Sequence, residues 1–110
     1  MKETTVNVLG TDYRLLIADK STDAKLENMD GYCDTSVKKC VVETMQDDSI
    51  EAKENLVGYQ NSVARHELIH AFLYESGLDM CSWATNEEMV DWLAIQFPKM
   101  YKAFKEADAV

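Results

Sequence analysis

Apolar positions alternate with polar ones in the first half of the chain and recur every three or four residues in the second. Val6-Asn7-Val8-Leu9 alternates and then meets Gly10-Thr11-Asp12, a turn signal. Tyr13-Arg14-Leu15-Leu16-Ile17-Ala18 follows as a second β-prone run, and the two predict a hairpin. Residues 19–23 are polar and read as a loop or a helix start. Asn28-Met29-Asp30-Gly31-Tyr32-Cys33 leads into a third strand, and Lys39-Cys40-Val41-Val42-Glu43 reads as a fourth. The turn-rich Asp34-Thr35-Ser36-Val37 between them predicts that these two pair. Gln46-Asp47-Asp48-Ser49 ends the β-rich half with a polar break and candidate helix caps.

The second half carries the helical period. A short helix is expected over 50–56, interrupted by Gly58. A longer one runs from Tyr59 or Asn61 to Ser76, with Gly77 placed to close it and Leu78 covering its end. Leu68, Ile69, Ala71, Phe72 and Leu73 make that helix apolar over most of its circumference, which predicts a buried helix. A last helix starts near Asn86, where Met89, Leu93, Phe97, Met100 and Phe104 recur at helical steps. Pro98 is expected to kink or split it. The sum is an α+β fold: a small N-terminal sheet of three or four mostly antiparallel strands, then two helices, in one domain over 1–110.

Composition changes this picture little. The 110 residues are 46% hydrophobic and 28% charged, ordinary for a globular domain. No run reaches the length of a membrane span. The formal net charge of −9 argues against a nucleic-acid backbone as partner, because phosphate binding needs a basic patch. The N-terminus has no apolar signal core, which makes the cytoplasm the expected compartment. Three cysteines do not make a complete disulfide framework. Cys33 and Cys40 face each other across the second predicted hairpin, where a cross-strand bridge is geometrically open.

The chemistry sits in the long helix. His66-Glu67-Leu68-Ile69-His70 reads H-E-x-x-H and uses both of the chain's two histidines. Residues i and i+4 share a helix face, about 6 Å apart along the axis, so two imidazoles can hold one tetrahedral zinc. Glu67 lies roughly 100° further round, where it can reach a water beside the metal. Two histidines and a glutamate within a turn of an apolar helix are costly to bury without a metal to pair them.

A catalytic zinc needs a third protein ligand, and no third histidine exists. Glu87 is the best carboxylate. It shares a helix face with Asp91, which could accept the spare N–H of a ligand histidine and fix its tautomer. Glu88 and the Cys81 thiolate are the alternatives. The same run, Thr85-Asn86-Glu87-Glu88, also matches a capping box with Thr85 as N-cap and Glu88 at the third helical position.

With His66, Glu67, His70, Glu87 and Asp91 in place, the chain resembles the gluzincins, zincin peptidases with H-E-x-x-H and then E-x-x-x-D on a later helix. It is similar more closely to the small ImmA/IrrE-type metallopeptidases and to minimal single-domain gluzincins of Gram-positive phages and mobile elements. Val90-Asp91-Trp92-Leu93-Ala94 and the later Pro98 fit that pattern. The resemblance covers about residues 28–98. It is specific at the two motifs and architectural elsewhere.

The resemblance implies a zincin-like fold of sheet then helices, one zinc ion, a polypeptide substrate and hydrolysis with Glu67 as general base. It also implies the cytoplasm of a bacterial host. The family's extra oxyanion-stabilising histidine is missing, which leaves Tyr59, Tyr74 and Tyr32 as candidates for that contact. The alternative reading is a non-catalytic, zinc-stabilised binding domain for a phage or host regulator. Neither reading gives a membrane or nucleic-acid partner, and oligomeric state stays open.

Overall fold

The computed structural model describes residues 2–45, 55–80 and 83–110. The polar break at 46–49, most of the short helix expected over 50–56, and Cys81 lie outside the described residues. Four strands form one sheet: β1 (Lys2–Val8), β2 (Thr11–Ala18), β3 (Gly31–Asp34) and β4 (Lys39–Glu43). Two long helices follow, α1 (Leu56–Glu75) and α2 (Glu87–Glu106). No described helix is long and apolar enough to cross a membrane.

Both expected hairpins form. The first turns at Leu9 and Gly10, with φ of 52° and 94°. Val8 pairs with Thr11, so the turn begins one residue earlier than the Gly10-Thr11-Asp12 signal implied. Two positive φ values match the twist of a two-residue hairpin, and the Asn7 side chain accepts from the Gly10 N–H at 2.9 Å. In the second hairpin Cys33 lies opposite Cys40, and both thiols are free. The Cys40 thiol is pushed up by its hydrogen bond with Cys33 and by burial.

The strand order is β1-β2-β4-β3. The hairpins join through β2 and β4, which run parallel, so the sheet is mixed at its centre. The connection passes over one face of the sheet through a 3₁₀ turn, Ala24–Glu27, whose Leu26 is fully buried against Leu16, Ala18 and Val41. The other face, with Val8, Tyr13 and Cys40, takes α1 through Ala71 and Leu68. Alternation along β2 and β4 thus splits each strand between two small cores.

Three contacts fix α1 on the sheet. At its first turns the Gln60 amide donates to the carbonyls of Glu43 (3.0 Å) and Thr44 (3.3 Å). At its last turn Glu75 accepts from Tyr13 Oη (2.7 Å), Thr11 Oγ1 (2.9 Å) and Lys38 Nζ (2.9 Å). Between them the helix packs tightly on Gly31. A Cβ there would lie 2.8 Å from the Val41 carbonyl oxygen, 2.8 Å from Val63 Cγ1 and 3.3 Å from Glu67 Cγ. Gly31→Ala therefore forces helix and strand apart and should cost about 1–3 kcal/mol in urea unfolding. An unchanged midpoint would refute this close packing.

Glu75 also sets an acid limb of stability. Hydrogen bonds, first from Lys38 and then from Tyr13, hold its carboxyl below the usual range. A depressed folded pKa stabilises the protein above the unfolded value of about 4.3. That contribution is lost as pH falls through the folded value. Glu75→Gln should flatten the fall in melting temperature below about pH 4.3, which a pH series of thermal melts would detect.

Four local expectations are corrected. Gly58 does not interrupt a helix: it lies in the first turn of α1, and its N–H is capped by the Asn55 side chain at 2.9 Å. α1 is half-buried rather than buried, with Glu67 and Ala71 its buried residues and Phe72 and Tyr74 exposed. Only one of its faces meets the sheet, and α2 crosses a second face incompletely. Asn86, not Thr85, caps α2, accepting from Met89 N at 3.0 Å. Glu88 therefore falls at the second helical position, outside a capping box. Of the two outcomes expected at Pro98, a kink or a split, the split does not occur: α2 continues to Glu106.

Candidate metal centre

Midway along α1, His66 and His70 project from one face at the spacing a helix dictates, with ring centroids 4.9 Å apart. The first turn of α2, set by the Asn86 cap, brings Glu87 over the pair. Glu87 Oε2 is 2.9 Å from His66 Nε2, and Oε1 is 2.8 Å from His70 Nε2. The two Nε2 atoms are 3.2 Å apart. One turn along α2, Asp91 Oδ1 is 3.3 Å from His66 Nδ1. The three residues His66, His70 and Glu87 form the one group of possible metal ligands among the described residues.

Hydrogen bonding satisfies this arrangement only with a doubly protonated, charged His66. Carboxylates only accept, so His66, facing Glu87 and Asp91, would have to carry a proton on both ring nitrogens. His70 Nε2, facing Glu87, would also have to carry one. Two N–H groups would then lie side by side, 3.2 Å apart, on the Glu87 carboxylate. A cation among the three groups would instead let both rings stay neutral, with each Nε2 lone pair and the carboxylate as ligands. Ligands about 2.0–2.1 Å from a tetrahedral zinc lie about 3.3 Å apart, close to the distances seen here. Two imidazoles and a carboxylate also suit zinc chemically.

The electrostatics agree with those roles. Burial holds His70 below its ordinary value, against the opposing pull of Glu87, and a neutral ring is what a metal ligand requires. Glu67 is 9% exposed. Burial pushes its carboxyl up to about 7; the His66 charge opposes this and the Glu87 charge adds to it. A carboxyl poised near neutrality suits proton transfer.

Glu67 and His66 line two clefts at once. One, of about 720 Å³, is bordered by Asp30, Tyr59, Ser62 and Asp91. The other, of about 450 Å³, is bordered by Tyr32, Cys33, Tyr74, Asp79 and Glu87. Gly31 of β3 lines both. β3 is an edge strand. Because Glu43 N donates to Asp30 O, antiparallel alternation turns the peptide groups of Gly31 and Cys33 away from β4.

The three candidate tyrosines all border these clefts, but they are not equivalent. The Tyr59 hydroxyl donates to Asp30 and the Tyr32 hydroxyl donates to Asp23. The hydrogen bond to Asp30 and burial push Tyr59 up to about 12. Burial, and then Asp23, raise Tyr32 as well. The Tyr74 ring lies under the Lys38 ammonium, 4.8 Å from its centroid. Its hydroxyl has no hydrogen-bond partner among the described residues, which makes it the freest donor of the three. Glu88, the alternative carboxylate ligand, is exposed on α2 and lies outside the cluster.

Two residues that matter here carry no motif. Asp30 anchors Tyr59 at the mouth of the larger cleft, and Arg65 reaches across to α2. Its sequence signal is indirect, through Pro98. Comparison with protein-family models, with curated proteins and with solved structures gave no match, so the assignment rests on the residues of this chain.

Proposed function

We propose that the chain is a zinc-dependent peptidase in which His66, His70 and Glu87 hold one zinc ion and Glu67 is the general base. The observation that carries this reading is the convergence of His66 Nε2, His70 Nε2 and Glu87 within 3.2 Å, beside a buried carboxyl. When bound, zinc would supply Lewis acidity for the scissile carbonyl and acidify a water. Asp91 holds the proton of His66 on Nδ1, which leaves Nε2 free to ligate. Glu67 takes a proton from the attacking water on its carboxylate and passes it to the leaving amine.

The open edge of β3 supports an extended substrate. Main-chain hydrogen bonds to Gly31 and Cys33 would add one strand to the sheet and lay a peptide past Glu67. Tyr74 is the candidate donor to the developing oxyanion. A quenched-fluorescent peptide library tests the reading. Hydrolysis should stop with a chelator and return with added zinc. A zinc-loaded protein that cleaves no peptide of the library would overturn it in favour of a zinc-stabilised binding domain.

A further inference from the structure

Pro98 lies inside α2 and has no N–H, so the carbonyl four residues earlier, Ala94, loses its helical donor. Ala94 is fully buried, where an unpaired carbonyl is costly. Arg65 Nε donates to that oxygen at 2.6 Å. Arg65 is on α1, next to His66, and Ala94 is three residues after Asp91. The bond thus ties the two helices together beside the His66–Glu87 and His66–Asp91 contacts.

We infer that Arg65 is a positioning residue for the metal centre, and that Pro98 creates its anchor. Without Pro98 the Ala94 carbonyl would already be satisfied within α2 and would gain less from a donor on α1. With it, the free carbonyl selects one crossing point of the helices, the one that places Glu87 over both imidazoles. The apolar stem of Arg65 lies in the groove with Leu68, Leu93 and Phe97, so a cation is tolerated on this face.

This inference rests on the reading of His66, His70 and Glu87 as ligands, and the test separates the two. Arg65→Met keeps the stem and removes the donor. It should weaken zinc binding about tenfold in competition with a chromophoric chelator. Pro98→Ala restores a helical donor to Ala94. In that background Arg65→Met should change zinc affinity less than about twofold, because the bond it removes is no longer needed. The same four proteins melted in excess chelator should show the same coupling between positions 65 and 98. An Arg65→Met effect on zinc affinity that is absent, or that persists undiminished beside Pro98→Ala, overturns the positioning role. Wild-type protein that binds no zinc while the metal-free melts still couple would overturn the ligand assignment and leave the Arg65–Pro98 link standing as structure alone.

Discussion

Glu67→Gln should retain one zinc per chain and lower peptide hydrolysis by about 10²–10⁴-fold, the usual contribution of a positioned base. The substitution is close to isosteric, which matters because Glu67 packs tightly against Gly31 of β3. The neutral amide also fits the site, since burial already favours the uncharged carboxyl. Stability should therefore hold while turnover falls, and the loss should appear in kcat rather than KM. Matched measurements of zinc content, melting temperature and kcat on one preparation check this. Undiminished hydrolysis by the variant would assign the proton transfer to another group.

Removing the metal should lower the melting temperature by about 10 °C. Zinc at 100 times its dissociation constant stabilises the folded state by about 2.7 kcal/mol, and a domain of this size shifts by about 4 °C per kcal/mol. The physical source is local. Without a cation, His66 must carry a proton on both ring nitrogens to satisfy Glu87 and Asp91 together. The first turn of α2 should then loosen from α1. His70→Ala and Glu87→Ala should abolish the chelator response. A melting curve indifferent to chelator in the unmodified protein would count against a metal at this position.

The parts of the site visible in the sequence are those that backbone periodicity fixes. His66 and His70 share a face because they are four apart, and so do Glu87 and Asp91. The approach of one pair to the other is not periodic. It depends on where α1 and α2 cross, and the Arg65–Ala94 bond marks that point. Pro98 reads as a helix breaker because a proline removes a hydrogen bond, yet a donor from another helix replaces it. Gly58 reads as a break because glycine's backbone freedom disfavours a helix interior, yet it sits in the first turn, where the Asn55 side chain caps its N–H.

The hairpins are legible from alternation and turn residues. The parallel join of β2 to β4 is not, because it depends on the 19–30 connection carrying β3 past the place that β4 then fills beside β2. Leu26, buried against Leu16, Ala18 and Val41, packs that connection on one face of the sheet. Thr85 and Asn86 are both competent caps, and a shift of one residue moves Glu88 out of capping position while leaving Glu87 over the histidines. The expected burial of α1 fails because apolar residues all round a helix record two incomplete contacts here, with the sheet and with α2. Leu68, Ile69, Phe72, Leu73, Leu93 and Phe97 consequently line an apolar groove.

Elemental analysis of the chain, purified without chelator and dialysed after exposure to zinc, addresses the central assignment most directly. The account predicts one zinc per chain in the unmodified protein and none in His70→Ala. Zinc-free unmodified protein, or equal zinc in both, would contradict it.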